Sequence, residues 1–366
     1  MIGHSDYDVV VVGGGPAGSA AALSLARAGC SVAILERSDY SKSRVGETLP
    51  PAVKVPLAQL ALWETFLQHS PLASPAVYSA WGAETLNEQN HFYNPYGNGW
   101  HVDRTRFDLM LVGAAQGAGA TLIAPAHSVS CKRNNSGSWD VWFRSGQNRS
   151  GLCVRFIVDA TGRHSIIARQ LGSRRVLHDN LVGIVGFFAP TPVGQPHITL
   201  VEAVNNGWWY SASLPDSRLV IAFMTDADLY ACGERHSAKK WLDQLCHTVH
   251  TRTRTDGTSL VSGPFVIQAN SSRLDQLYGD GWLAAGDAAA AFDPISGQGI
   301  YRALDSGINA SIAVRGSLIG NSIEVASYGS RIVSVFDSFL VQRQRYYRQE
   351  KKWAHCEFWR RRRAAP

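Results

Sequence analysis

The stretch YDVVVVGGGPAGSAAALSLARAGCSVAILER, residues 7–37, decides the fold. Its opening β-branched run ends at glycine, the pattern of a parallel strand buried on both faces. From Ala17 to Gly29 an alanine-rich stretch follows with helical spacing and closes on a glycine. Ser31 to Leu35 repeats the strand pattern, so the three segments make one βαβ unit. At the first turn stands Gly13-x-Gly15-x-x-Gly18, and Glu36 ends the second strand 18 positions beyond Gly18. Gly13 permits the tight turn, Gly15 lets the backbone approach a pyrophosphate, and Gly18 lets the helix pack against the strand. The helix N-terminus then faces the phosphates, and Glu36 can accept hydrogen bonds from a ribose. A glycine triplet alone is weak; strand, helix, strand and acid in that order are not. These residues imply a dinucleotide, with FAD and NAD equally open.

A second stretch separates the two. GDAAAAFDPISGQGI, residues 286–300, follows a strand-like GWLAAGD and leads into the helical pattern GIYRALDSG. It offers no His, Cys or Lys, but Gly297 and Gly299 clear the approach to a helix N-terminus. Such an end suits the electron-rich pyrimidine edge of a reduced flavin, and Asp287 can bind ribityl hydroxyls. Otherwise the stretch is a glycine-rich turn with a capping acid. On the flavin reading the chemistry belongs to the cofactor and the protein supplies a dry wall. Strand character also returns at RFIVDATG (155–162), ending in small residues as strands do at a ligand-bearing sheet edge.

From about residue 176 to 267 the texture changes to LVGIVGFFA, HITLVEAV, GWWYSASL and RLVIAFMT, an antiparallel pattern. The expected class is α/β (α+β overall). Its Rossmann-like FAD-binding domain takes residues 1–75, 98–175 and 268–330. An antiparallel-sheet substrate domain of residues 76–97 and 176–267 interrupts it, and residues 331–366 form a helical basic tail.

The totals agree with a globular chain: 366 residues, 45% apolar and 17% charged. MIGHSDYDVVVV has no basic n-region, no run reaches membrane-span length, and the six cysteines form no C-x-x-C. Reduced thiols, no metal and a cytoplasmic location are therefore expected. The net charge of +6 is concentrated in the tail, where residues from Gln342 carry nine Lys/Arg against Glu350 and Glu357. The rest is near neutral, so nucleic acid is not an expected partner, and no membrane is. The tail itself reads as a solvated helix end, as an arm for an acidic protein, or as a contact for nucleic acid or a membrane surface.

GGGPAG…LER, RVGETLPP (44–51), WHVDRTRFDLML (100–111), IVDATGR (157–163) and GDAAAAFDPISGQG together resemble the flavoprotein monooxygenase superfamily with the p-hydroxybenzoate hydroxylase fold. Within it the chain is most similar to the branch of flavin-dependent halogenases and geranylgeranyl reductases. SAWG (79–82), NPYGNGWHVDR (94–104) and GWWYSASLP (207–215) resemble the flavoproteins needed to build the cysteine tryptophylquinone of quinoprotein amino-acid oxidases.

That resemblance implies FAD contacts from Gly13, Gly15, Ala17, Gly18, Glu36 and Arg37. It implies others from Arg44, Glu47 and Thr48 in the first loop, from Arg104, from the Val129 backbone, and from Asp159, Ala160 and Gly162. Asp287, Pro294, Gly297 and Gly299 would surround the isoalloxazine. Arg104 could equally pair with Asp108 one helical turn on. His101 and Asp293 are the ionisable groups expected nearest the reacting atoms, with Pro294 beside them. Trp81, Phe187, Trp208, Trp209, Tyr210 and Phe223 are expected to line an aromatic pocket; in a strand, Trp208 and Tyr210 face one way and Trp209 the other.

The implied reaction is hydroxylation of an electron-rich indole ring through a flavin C4a-hydroperoxide. O2 would be co-substrate, and an external reductant or NAD(P)H the electron source. The implied partner is a protein substrate, a quinoprotein oxidase precursor. Halogenation, double-bond reduction and an FAD-holding maturation factor without turnover are the rivals. Halogenases relay hypohalous acid through a lysine about thirty residues after the GETLPP position. Here no lysine lies between Lys54 and Lys132, and the W-x-W-x-I-P signature of halogenases is altered to GWWYSASLP.

Overall fold

The computed structural model describes residues 6–42, 44–190, 196–231 and 238–363. Cys232, the opening residues 1–5 and the last three residues of the expected tail lie outside them. Val9, Val10 and Val11 are fully buried in the strand Tyr7–Val12, because the sheet around it is covered on both faces. That strand pairs in parallel with Val32–Leu35 on one side and with the end of Asn148–Asp159 on the other. Thr121–Ile123 and Trp282–Ala284 extend the parallel sheet at its two sides. The helix Pro16–Arg27 starts on proline, whose missing N–H costs nothing at that position. Its alanines leave room for the helix Gly299–Leu318, which comes so close that a Cβ on Gly307 would lie 2.2 Å from the Ala17 carbonyl oxygen.

A second sheet has seven strands in the order Leu260–Gln268, Leu181–Phe188, Leu219–Asp226, Gly207–Ser213, Thr199–Val204, Ala76–Ala80 and Asn87–Asn90. Its pairings are antiparallel except between Thr199–Val204 and Ala76–Ala80. A small sheet of Thr48–Leu49, Gly99–His101 and Leu72–Ser74 lies at the seam, with Thr48 opposite His101. The mixed α/β class and the sheet types follow the sequence pattern.

The C-terminal helices Ile323–Tyr347 and Glu357–Arg363 bring the chain back across the second sheet. Tyr347, Phe358 and Trp359 are fully buried there, in one cluster with Trp81, Phe187 and Trp208. Arg362 reaches Asp226 at 2.6 Å with both side chains 2% exposed, and its guanidinium lies 3.6 Å from the Phe358 ring centroid. Arg361 pairs with Asp226, Asp228 and Glu357. The tail is thus neither a solvated end nor a free arm over these residues. In EFWRRRR, Phe358 and Arg362 fall on one helix face, and Asp226 of the strand Leu219–Asp226 with Asp228 of the helix that follows it neutralises Arg361 and Arg362. Arg360 is exposed and pairs with Glu357. All five described cysteines are free. Among the described residues no helix is long and apolar enough to cross a membrane.

Candidate active site

The glycine loop divides into tight and open positions. Gly13 has φ +110°, and a Cβ there would lie 2.2 Å from the Ala160 carbonyl oxygen. A Cβ on Gly18 would lie 1.8 Å from the Gly13 carbonyl oxygen. Gly15 is different: a Cβ would meet nothing within 4 Å, and no side chain caps the helix that starts behind it. The first amides of Pro16–Arg27 are left for an anion. Glu36 is 5% exposed; its Oε2 accepts from Gly14 N at 2.7 Å, and its Oε1 from Ser38 N at 2.9 Å and Arg44 at 3.2 Å. Burial works to raise this carboxyl, but the Ser38 and Gly14 hydrogen bonds and the Arg44 charge hold it below the usual carboxylate range. Tyr40 donates to the Gly14 carbonyl at 2.9 Å. Arg37 points to solvent.

The first loop is clamped by Asp108, which is fully buried. Arg44 reaches it at 3.0 Å and Arg104 at 3.2 Å. Arg104 also donates to the Val45 carbonyl at 2.8 Å, so it follows the pairing alternative and braces the loop. Glu47, 2% exposed, accepts from Gly46 N at 2.9 Å and from the Tyr210 hydroxyl, which also lies 2.5 Å from Thr48 Oγ1. Burial, then the Glu47 carboxylate, pushes the Tyr210 phenol well above its ordinary range.

Asp159 faces inward rather than toward a ligand. It is fully buried and accepts from Thr161 N at 3.0 Å, Thr161 Oγ1 at 2.6 Å and Ala168 N at 2.8 Å, which shapes the Ala160–Gly162 turn. The Val129 carbonyl is occupied by Gln170 Nε2 at 2.8 Å. Asp287 is partly exposed and lies 3.5 Å from Arg163 Nε, while Arg175 donates to the Asp287 carbonyl at 2.7 Å. Asp293, fully buried, caps the turn Pro294–Ser296 through Ile295 N at 2.9 Å and accepts from the Tyr347 hydroxyl at 2.8 Å. Pro294 is exposed. Like Gly15, the backbones of Gly162, Gly297 and Gly299 face open space that a Cβ would enter without touching protein. Bare backbone at four such points, with the carboxylates of Glu36 and Asp287 between them, fits an extended dinucleotide carrying a flavin.

The six aromatics do not share one face. Trp208, Phe187 and Trp81 belong to the cluster under the C-terminal helices, with Tyr210 packed against it. Trp209 and Phe223 stack at 4.9 Å on the opposite face, beside Trp241. The alternation of the strand and the pairing of Trp209 with Phe223 across it put both out of reach of the first face. His101 is also placed differently from the acid–base expectation. It is fully buried, with Nε2 2.9 Å from Thr199 Oγ1. Burial, and secondarily the buried Arg254, lowers its imidazole to about 3, so it is neutral and sealed. Arg254, Tyr40 and Tyr347 escaped the sequence reading, since only their partners from distant segments give them a role.

His101 makes a pH prediction. Its folded imidazole titrates below the unfolded one, so its stabilisation is full above about pH 6.5 and is lost as the pH falls toward about 3. The slope of unfolding free energy against pH below about 6 should be shallower by about 1.4 kcal/mol per pH unit in His101→Gln than in the parent. Denaturant melts at pH 6 and 5 measure it; equal slopes would remove His101 from the buried neutral state.

The FAD binding domain family model matches residues 6–315. The protein named FAD-dependent oxidoreductase LodB, from Marinomonas mediterranea, is 31% identical over 364 residues, 98% of this chain and 97% of that protein. Among solved structures, the myxobacterial chondrochloren halogenase CndH superposes with TM-score 0.90 at 22% identity, covering 98% of this chain and 86% of its own. The peptidyl tryptophan dihydroxylase QhpG, essential for tryptophylquinone cofactor biogenesis, has TM-score 0.79 at 22% identity, covering 99% of this chain and 80% of its own. At such identities the two structures establish the fold.

Proposed function

The chain belongs to the FAD binding domain family, and from that premise we propose that it hydroxylates a tryptophan side chain of a partner protein on the way to a tryptophylquinone. At the coarser level it is an FAD-dependent oxidoreductase of the halogenase and hydroxylase fold. Bound FAD would supply the two-electron chemistry that lets one atom of O2 enter an aromatic ring while the other leaves as water. The residues here do the rest. The open backbone at Gly15 and the helix behind it would hold the pyrophosphate, and Glu36 the ribose. Tyr210 and Tyr347 tie the Glu47 and Asp293 loops to the second sheet. The ring cluster of Trp81, Trp208 and Trp359 keeps that side dry, which protects a reactive oxygen donor from water.

One sequence feature carries hydroxylation over halogenation: about thirty residues after GETLPP, where the halogenases keep their relay lysine, stand Trp81 and Gly82, and no lysine lies between Lys54 and Lys132. Trp81 Nε1 donates to the Tyr346 carbonyl at 3.1 Å and Gly82 N to Glu350 at 2.8 Å, so neither is free to carry a halogen. Lys352, which approaches this stretch from the C-terminal side, pairs with Glu84 at the surface. A lysine ammonium can hold an electrophilic halogen; an indole or a glycine cannot without being consumed. The likeness to QhpG, a peptidyl tryptophan dihydroxylase, supports the substrate class. The halogenase reading keeps the support of the TM-score of 0.90 to CndH.

Turnover with isotopically labelled O2, a reductant and a quinoprotein oxidase precursor as substrate separates the readings. The expected result is labelled oxygen on a tryptophan of the precursor, unchanged by chloride or bromide. A halogenated product would sink the proposal. Reoxidation of the cofactor with an unmodified precursor would favour a maturation factor without turnover.

A further inference from the structure

The family match ends at residue 315, yet the turn that faces the flavin position is fastened by residues beyond it. Tyr347 donates to Asp293 Oδ2 at 2.8 Å, and Trp208 Nε1 donates to the same phenol oxygen at 3.0 Å. All three side chains are essentially without solvent contact. The other carboxylate oxygen of Asp293 takes only the Ile295 amide among the described residues. The charged groups facing Asp293 come from three segments. Asp179 precedes the strand Leu181–Phe188; Arg343 shares a helix with Tyr347 and pairs with Asp179; Arg362 lies 5.3 Å from the Tyr347 ring centroid and pairs with Asp226. Burial, then Asp179, favours the protonated carboxyl; Arg343, Arg362 and the Ile295 amide favour the anion. Burial prevails and moves the Asp293 carboxyl above its ordinary range, and the phenol donor, like the Ile295 amide, favours the anion against it.

We propose that Tyr347, backed by Arg362, is a positioning residue that keeps Asp293 charged beneath the turn Pro294–Gly299, so that the C-terminal segment sets the reduction potential of the bound FAD. This rests on the reading that the turn borders the isoalloxazine. A carboxylate there disfavours the negative charge that a reduced flavin carries on its pyrimidine edge and holds the potential down. Without the phenol, Asp293 takes up a proton, that charge disappears, and reduction becomes easier.

The test is the midpoint potential of the FAD-loaded protein across pH. Tyr347→Phe should still bind FAD, with its potential raised enough to shift the reduced-to-oxidised ratio about tenfold at fixed poise, about 30 mV for two electrons. Asp293→Asn should raise it at least as far, and adding Tyr347→Phe to Asp293→Asn should then change nothing. Trp208→Phe, which removes the donor to Tyr347 and leaves the turn intact, should shift it in the same direction by less, and serves if Tyr347→Phe does not fold. Arg360→Gln, at the surface, should leave it unchanged. A purely structural role would lower thermal stability and leave the potential alone. Wild-type potentials in Tyr347→Phe and Asp293→Asn would overturn the inference and leave FAD binding standing. A parent protein that takes up no FAD would overturn both.

Discussion

Gly15→Val should give a folded protein that has lost its FAD. The structure makes the separation clean. A side chain at Gly15 meets no protein atom within 4 Å, and the residue sits at φ −76°, ordinary for any L-amino acid. The valine therefore costs the apo fold little and collides only with a pyrophosphate laid on the loop. Affinity should fall on the order of 1,000-fold or more, about 4 kcal/mol. Gly13→Val and Gly18→Val make the contrast, because each drives a side chain into backbone carbonyl oxygens at 2.2 and 1.8 Å and should not fold. Flavin absorbance of the gel-filtered protein, read beside its circular dichroism, decides the matter. A folded Gly15→Val protein with stoichiometric FAD would refute the cofactor assignment.

Arg362→Met should be among the most destabilising single changes in the chain. Its guanidinium and the Asp226 carboxylate are both 2% exposed, so removing one partner leaves the other charge buried. Breaking such a pair costs about 3–5 kcal/mol. Arg361, 3.1 Å from the same carboxylate but 35% exposed, covers only part of the loss. The double variant Asp226→Leu/Arg362→Met should recover most of the stability, since a buried pair replaced by apolar groups is close to neutral. Arg360→Gln should stay within about 0.5 kcal/mol of the parent. Denaturant unfolding measures all four. A loss under about 1 kcal/mol for Arg362→Met would return the tail to solvent.

The sequence makes some of this architecture legible and hides the rest for an identifiable reason. Gly13, Gly15, Gly18 and Glu36 lie within one βαβ unit, where spacing alone fixes geometry. Trp208 and Tyr210 could be placed on one face by strand alternation, and Arg104 with Asp108 by one helical turn. The contacts that define the site are of another kind. Tyr347 and Asp293 are 54 positions apart, Glu47 and Tyr210 163, and Arg362 and Asp226 136. No local period links such residues. His101 looked able to trade protons because histidine often does, and only its complete burial against Thr199 shows otherwise. The arginine run misled in the same way, for charge in a sequence reads alike whether acids elsewhere in the fold meet it or water does.

During synthesis the strand Tyr7–Val12 must wait for its neighbours. Val32–Leu35 emerges soon after it, but Asn148–Asp159 must arrive before its other edge is covered, and Trp282–Ala284 before that side of the sheet is complete. At translation rates of about 5–20 residues per second, the interval from the first strand to the last is roughly 15–50 s. All seven strands of the second sheet lie at or before Gln268, so it can close while the free edge of Asn148–Asp159 still waits for Trp282–Ala284. The nucleotide-binding sheet is the later product, and free FAD present as it closes would draw the last strands in by mass action. A richer riboflavin supply during synthesis should therefore raise the yield of intact chain.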